Sequence, residues 1–476
     1  MTSAPTPRRR LARLPGARGL LLPGLLANLL PGALAAQGIN PLLTFDFSSA
    51  LHVTDNYDLD ADPPGTTTYL DNKFGLSYVS ETETQRLSFG TSGVLRFADY
   101  PERGRDTDFD DETVRLDYTR TGADAEISAR AYYNRADIAF FDPFRLIDLD
   151  TGIDPEDLTV VSGYRETILG GITLRTGLSS PLSFSLSANT RIRNFIQTDD
   201  PGLYDTTVNS LSFGAAAMVS EVTQVFVDAA LRYYTAEDAE ETDRDTRSLS
   251  LGLGHELGGG LSIRGSLGYQ TSSTEETDQF GNRGTTEENN GAIASLNLLQ
   301  QMPNGTLGLN GSLTRNTDGA RTSLSVSRTL DLSDQEQLAA TAGVSKGDSS
   351  RVSFIGSLAY GHDLPRGRIN AHLSQSVRSD SNDEDVQVSS ARVGLSYDLT
   401  ALSDLRFGLA YVKTDRLASD DDRERSQFSA SYNHQLTPDW EMSGGYEFTR
   451  LDRESGRAQK NSFFLSIQHQ FQARPW

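Results

Sequence analysis

Hydrophobic and polar residues alternate strictly along many stretches of this chain. Clear examples are residues 125–134, 182–189 and 427–433, in which apolar side chains occupy every second position. Successive side chains of a β-strand point to opposite faces of the sheet, so each stretch predicts a strand with one apolar and one polar face. No stretch after residue 36 approaches the roughly 18 consecutive apolar residues of a membrane-spanning helix.

The predicted strands are long and numerous. They commonly span roughly 11–14 residues, whereas strands of soluble sheets have about 5–6 and tilted transmembrane strands need about 9–11. About 22 strands are expected, within a range of roughly 18–24, since a misplaced hairpin changes the number by two. The predicted strands are 42–57, 69–80, 84–97, 109–121, 123–135, 159–176, 182–194, 206–220, 222–235, 244–257, 260–272, 285–300, 303–316, 319–330, 335–346, 349–363, 366–378, 386–400, 403–414, 424–436, 438–450 and 460–472.

The connections between these strands alternate in length. Even-numbered connections are tight, as at Gly122, Glu221 and Thr437-Pro438, and two odd-numbered ones near Asp318 and Gly347 are also short. Tight turns at one end and long loops at the other are typical of transmembrane β-barrels. Long, polar and acidic connections are expected at 58–68, 98–108, 136–158, 195–205, 236–243, 273–284, 379–385 and 415–423.

This pattern predicts an all-β fold, a transmembrane antiparallel up-and-down β-barrel. An open sheet edge inside a bilayer would leave backbone N–H and C=O groups unpaired, at several kcal/mol each. The first strand must therefore pair with the last. Aromatic residues such as Tyr57, Trp440 and Phe471 lie near the predicted strand ends, where barrels carry interfacial girdles.

The N-terminus has the features of a removable signal peptide. Its basic residues are followed by an apolar stretch at 20–34 and by small residues at Ala33 and Ala35. A membrane anchor is the alternative, but a span needs about 20 apolar residues and this stretch is shorter and interrupted by Pro-Gly pairs. We expect residues 1–36 to be removed near Ala35 or Ala36, leaving a barrel domain at 37–476.

Composition and charge narrow the class further. Hydrophobic residues make up 37% of the chain, against about 45–50% in soluble globular proteins, as expected when only alternate strand positions are apolar. The formal net charge is −22, which disfavours a nucleic acid partner because such partners require basic surface. Cysteine is absent, which fits export to an oxidising compartment.

Two short motifs give the chain a resemblance to a known class. The first strand ends in Thr54-Asp55-Asn56, and the last, 463–471, ends on an aromatic residue. In these features the chain resembles the β-barrel porin families of the Gram-negative outer membrane. The resemblance implies outer-membrane lipid, lipopolysaccharide and the barrel assembly machinery as partners. Because five residues follow Phe471, either it or Trp476 could be the aromatic that the assembly machinery reads.

The longest connection, 136–158, is the candidate constriction. A barrel of about 22 strands is wide and usually plugged, yet no plug domain is expected before the first strand. Phe140, Phe141, Pro143 and Phe144 would anchor the connection to the wall. Its carboxylates Asp142, Asp148, Asp150 and Asp154 would face lumenal arginines across the pore, and charged rings select ions. These arginines are Arg115, Arg130, Arg165, Arg191, Arg193 and Arg232. The alternative is that they neutralise acids on neighbouring strands.

The same connection contains a candidate calcium site. Asp148, Asp150, Asp154 and Glu156 surround Gly152, and Ca²⁺ binds six to eight oxygen ligands in such acidic loops. The spacing departs from the EF-hand pattern, and a solvated acidic rim is the alternative interpretation. No other cofactor is implied.

The sequence favours a channel over an enzyme. No nucleophile elbow, P-loop, dinucleotide-binding glycine pattern or Cys/His cluster is present. We expect a porin-like channel that passes small hydrophilic solutes, or an exit pore for a secreted polymer such as a polysaccharide, working with a polysaccharide export system. The alternative is a structural or adhesive barrel that acts through its acidic surface loops.

Overall fold

The computed structural model describes residues 41–141, 143–144, 158–198, 200, 202–277, 284, 286–317, 319–348, 350–379, 385–417, 422–453 and 456–474. The expected leader at 1–36 and the C-terminal Trp476 lie outside these residues. Within the described part, 22 strands are present, as the alternation predicted. No helix in that part is long and apolar enough to cross a membrane.

The strands follow one another around the barrel in chain order. They are Leu42–Thr54 (β1), Thr67–Glu81 (β2), Gln85–Tyr100 (β3), Gly104–Thr121 (β4), Ala125–Asp137 (β5), Tyr164–Thr176 (β6), Leu182–Ile196 (β7), Thr206–Ser220 (β8), Thr223–Ala236 (β9), Asp243–Leu257 (β10), Leu261–Glu275 (β11), Glu287–Met302 (β12), Gly305–Asn316 (β13), Gly319–Ser333 (β14), Glu336–Gly347 (β15), Ser353–Leu364 (β16), Gly367–Ser379 (β17), Asp385–Thr400 (β18), Ser403–Arg416 (β19), Asp422–Thr437 (β20), Trp440–Arg453 (β21) and Gly456–Ala473 (β22).

The sheet closes on itself between β22 and β1. These strands pair antiparallel from Leu43 opposite Ala473 to Thr54 opposite Ser462. Every other strand pairs with its neighbours in sequence, also antiparallel. Closure leaves no edge strand, so every strand has a hydrogen-bonded partner strand on both sides. The predicted fold class is therefore confirmed.

The barrel is apolar outside and polar inside. On neighbouring strands β10 and β11, Leu251 and Leu267 lie opposite each other and are 59% and 67% exposed. The adjacent residue Ser266 points the other way, and its hydroxyl lies 2.6 Å from that of Ser295. A hydrocarbon solvent around the barrel explains why large apolar side chains occupy the exposed face.

Some predicted boundaries were wrong. The structure replaces the long connection expected at 98–108 with a tight turn at 101–103, because β3 runs to Tyr100 and β4 begins at Gly104. Gly104 has φ +73, a left-handed conformation that suits glycine in a turn. Acidic residues on β4 made this segment look like a loop. Conversely, β1 ends at Thr54 and β6 begins at Tyr164, so both adjoining connections are longer than expected.

Candidate functional site: the lumenal constriction

The connection after β5 turns into the lumen at its first residues. Asp137 ends the strand, and its backbone N–H donates to Asp110 of the neighbouring strand at 2.8 Å. Its carboxylate accepts from the backbone N–H of Ala139 at 2.9 Å and so caps a single 3₁₀ turn, Ile138–Phe140. A capped turn fixes the direction of the chain at this point. The aromatic residues that follow are thereby directed inward.

This connection crosses the lumen to the opposite wall. Phe141, Phe144 and Leu158 form a buried apolar cluster with Val386 and Val388 of β18 and with residues of β5 and β19. The strands β5 and β18 are far apart around the barrel, so one segment can contact both only from the inside. The connection predicted to narrow the pore therefore lies inside it, in its described part.

Arginines on β18 and β20 hold the crossing segment by its backbone and side chains. The Arg392 guanidinium donates to the carbonyl of Phe144 at 2.8 Å, and Arg423 donates to the hydroxyl of Thr159. Each bond satisfies a polar group of a segment that would otherwise lose its water on entering the barrel. The far wall thus binds the connection through both apolar packing and hydrogen bonds.

On the near wall, two arginines stack on the aromatic residues of the connection. The guanidinium carbon of Arg165 lies 4.3 Å from the ring centroid of Phe141, and that of Arg96 lies 3.4 Å from the centroid of Phe140. Both distances are typical of cation–π contacts. Arg96 also forms ion pairs with Asp71 and Asp110, each at 2.8 Å.

The connection between β1 and β2 joins the same constriction. Tyr57 packs edge-on against Phe140 with ring centroids 4.4 Å apart, and the Tyr100 hydroxyl donates to that of Tyr57 at 2.8 Å. Burial raises the pKa of Tyr57, so its phenol stays protonated. Leu59 in this connection is fully buried against Leu451 and Ala458. Two connections, rather than the one predicted, therefore narrow the lumen.

The Thr-Asp-Asn motif closes the barrel seam at this end. The Asp55 carboxylate accepts from the backbone and side-chain N–H groups of Asn461 at 2.7 and 2.6 Å. The buried Asn56 amide donates to the carbonyls of Gln459 on β22 and of Asp60 in its own connection. The motif thus ties the end of the first strand to the last strand and shapes the connection that enters the lumen.

All six arginines predicted on the polar face point into the lumen, but their surroundings differ. Arg165 touches the crossing segment, and Arg193 is buried. Arg130 lies beside Gly171, and Arg115 pairs with Asp117 at 2.6 Å. Asp117 lies two residues along the same strand, so this pair is not the neutralisation by an acid of a neighbouring strand that the alternative expected. Arg191 and Arg232 stand on the lumenal face of β7 and β9. Their role in ion selection stays a prediction.

The carboxylates expected opposite these arginines cannot be placed. Asp142, Asp148, Asp150, Asp154 and Glu156 all lie outside the described residues, and with them the expected Ca²⁺ site. Among the residues that are described, no group of three or more His, Asp or Glu side chains could hold a metal ion. A calcium site in this connection therefore also stays a prediction.

Elsewhere in the lumen, small hydroxyl side chains line much of the wall. Cross-strand pairs face each other at hydrogen-bond distance, from 2.6 to 3.1 Å between hydroxyl oxygens. They are Thr173 with Ser187, Thr246 with Ser272, Ser266 with Ser295, Ser312 with Ser323, and Ser374 with Ser390. Short polar side chains leave room for water and offer both donors and acceptors. This wall is chemically suited to hydrated, hydroxyl-bearing molecules.

Comparisons with known proteins agree with the architecture. The model of a Gram-negative porin family matches residues 276–454. The FrpB iron transporter from Neisseria meningitidis superimposes with a TM-score of 0.57 at 10% identity, covering 91% of this chain and 81% of that one. The import receptor Fiu from E. coli gives a TM-score of 0.54 at 8% identity, covering 90% and 81%.

A third similar structure is the ferric enterobactin receptor PfeA from Pseudomonas aeruginosa, with a TM-score of 0.51 at 11% identity over 90% and 81% of the two chains. At such identities the likeness extends to the fold alone. No match was found among curated proteins. The match to the Gram-negative porin model covers less than half of the chain, and with the closed 22-stranded barrel it shows that the chain is similar to porins and has the architecture of an outer-membrane β-barrel.

Proposed function

We propose that the chain is a passive outer-membrane channel for small hydrophilic solutes. One observation carries the proposal: the closed barrel has a hydroxyl-lined lumen that is narrowed near one end by its own connections. An inward connection reduces the width of a pore without needing a separate plug. The lumen below it stays lined by polar groups that can replace part of the hydration shell of a solute.

A variant of this proposal is an exit pore for a secreted polymer such as a polysaccharide. The same serine and threonine wall suits a sugar chain, and a barrel of 22 strands is wide. Such a pore would work with a polysaccharide export system. In either form the barrel would rely on the assembly machinery for insertion and would contact lipopolysaccharide in the outer leaflet.

The alternative is a structural or adhesive barrel with a filled lumen. The apolar clusters around Phe141 and Tyr57 favour it, because they occupy lumenal space. The similar iron transporters and receptors do not decide the matter, since their likeness to this chain is limited to the fold.

Conductance separates the two functions. The refolded barrel should produce discrete current steps when it is added at low concentration to a planar lipid bilayer in concentrated KCl. The matched control is the same preparation after heating, in which the protein is unfolded. A folded barrel that stays silent over many insertions would contradict the channel and support the structural function. Vesicle swelling with sugars of increasing size would then give the solute cut-off.

A further inference from the structure

A recess is built into the lumenal wall on the side where the barrel closes. It has a volume of about 440 Å³ and is formed by β22, β1, β2, β3 and β4. Pockets for small molecules commonly have about 300–1,000 Å³. Because the recess is part of the wall, a bound molecule would lie beside the path through the lumen.

Two glycines form the floor of the recess. Gly75 lies opposite Asp46 of β1 and Ser92 of β3, and Gly90 lies opposite Arg115 of β4. All of these positions face the lumen. At Gly90 an added Cβ atom would meet nothing closer than the carbonyl of Leu76 at 3.9 Å. The backbone thus has room for a side chain there, and the glycine leaves that room open.

Polar groups surround this floor. Hydroxyls come from Ser48, Ser77, Ser92 and Thr113, and Gln468 adds an amide. Such groups both donate and accept hydrogen bonds, as the hydroxyls of a sugar require. The Asp46 carboxylate accepts from Gln470 at 2.8 Å and has remaining lone pairs for a further hydroxyl.

The two cations of the recess differ in their pairing. Arg115 is bound to Asp117 at 2.6 Å. Lys73 is exposed to the lumen, and within the described part of the chain it has no ion pair. An exposed ammonium beside hydroxyl and amide groups is the group that a carboxylate of a ligand would contact.

We propose that this recess binds a sugar acid, a small polyhydroxylated molecule carrying one carboxylate. Lys73 contacts the carboxylate, while the serine, threonine and glutamine side chains contact the hydroxyls above the floor of Gly75 and Gly90. The proposal rests on the proposed channel, for which the recess is a binding step along the lumen. It deepens that function by naming the class of solute.

Binding is measured on the full barrel in detergent, without requiring current. Saturation-transfer NMR with D-glucuronate and D-glucose should detect both sugars, with glucuronate the tighter ligand. Lys73→Met should weaken glucuronate binding about tenfold, as loss of a charge-assisted hydrogen bond does, and leave glucose unchanged. Lys346→Met, on the outward face of β15, is the charge-matched control and should change neither.

Gly90→Leu fills the recess and should abolish binding of both sugars in a barrel that still folds. Equal binding of glucuronate to the wild type and Lys73→Met, or retained binding in Gly90→Leu, would overturn the site. Glucuronate binding by a barrel that never conducts would refute the channel while upholding the site. An oligomer of glucuronate serves as a further probe. If its affinity per sugar unit exceeds that of free glucuronate, the recess binds a polymer; if not, the recess binds the free sugar acid.

Discussion

Arg96 joins the barrel wall to the segment that crosses the lumen. Its side chain is 7% exposed, lies between Asp71 and Asp110, and stacks on Phe140. Replacing it with Met would leave the buried Asp110 carboxylate and the partly buried Asp71 carboxylate without their cation, and loss of one partner of a buried ion pair typically costs about 3–5 kcal/mol. We therefore expect Arg96→Met to lower the free energy of unfolding in urea by about 3 kcal/mol.

The matched control is Arg105→Met on the next strand. Arg105 is 89% exposed and its contact with Asp99 is 3.5 Å long, so its loss should be without measurable effect. Arg96→Lys should have a free energy of unfolding between those of the wild type and Arg96→Met. An ammonium keeps the charge but cannot bind one carboxylate through two parallel N–H bonds. Equal stability of Arg96→Met and Arg105→Met would show that the Arg96 network contributes nothing.

At the scale of residues, alternation predicted which side chains face the lumen but not what they touch there. The six predicted arginines all point inward because strand geometry alone determines the face. Contacts such as that between Arg392 and the carbonyl of Phe144 join residues that are 248 positions apart in the chain. They depend on where a loop lies inside a closed barrel, and no local pattern encodes that position.

The crossing segment is held by an apolar strip where β18 begins and β19 ends. Val386, Val388 and Val412 face the lumen, where the polar side of a strand is expected. Val388→Asp places a carboxylate against Phe141 and Phe144 and should release the segment from this wall. The predicted result is a larger single-channel conductance with more current noise, since the constriction loses one of its anchors.

Ser325→Asp is the control for this element. It adds the same charge to the lumenal face of β14, four strands from the cluster, and should change conductance far less. If both variants conducted alike, the apolar strip would not be what holds the segment. The strip itself could have been found from the sequence, because valines at 386, 388 and 412 break the polar side of the alternation.

Strand boundaries were predicted less well than strand number. The number follows from counting alternating segments and tight turns, which are local features. Boundaries at the loop end depend on pairing, as at β3 and β4, where residues 98–100 pair with residues 104–106 although all of them were expected in a loop. The second inward connection was also missed, because its anchor Leu59 is a lone apolar residue in a polar loop.

Across the whole molecule, apolar residues face outward and polar residues face the lumen. Two adjacent residues on one strand can test this assignment of the faces. Leu267 points outward at the middle of β11, and Ser266 points into the lumen. Arginine at a lipid-facing position near the bilayer midplane costs about 2–4 kcal/mol, whereas lumenal positions remain hydrated. We expect Leu267→Arg to destabilise the barrel in lipid vesicles by about 3 kcal/mol and Ser266→Arg to have little effect.

Denaturant unfolding in vesicles, followed by tryptophan fluorescence, measures both. In detergent micelles the difference should shrink, because the micelle deforms more easily around a charge. A larger cost at Ser266 than at Leu267 would invert the assignment of the two faces, and with it every position that is placed in the lumen.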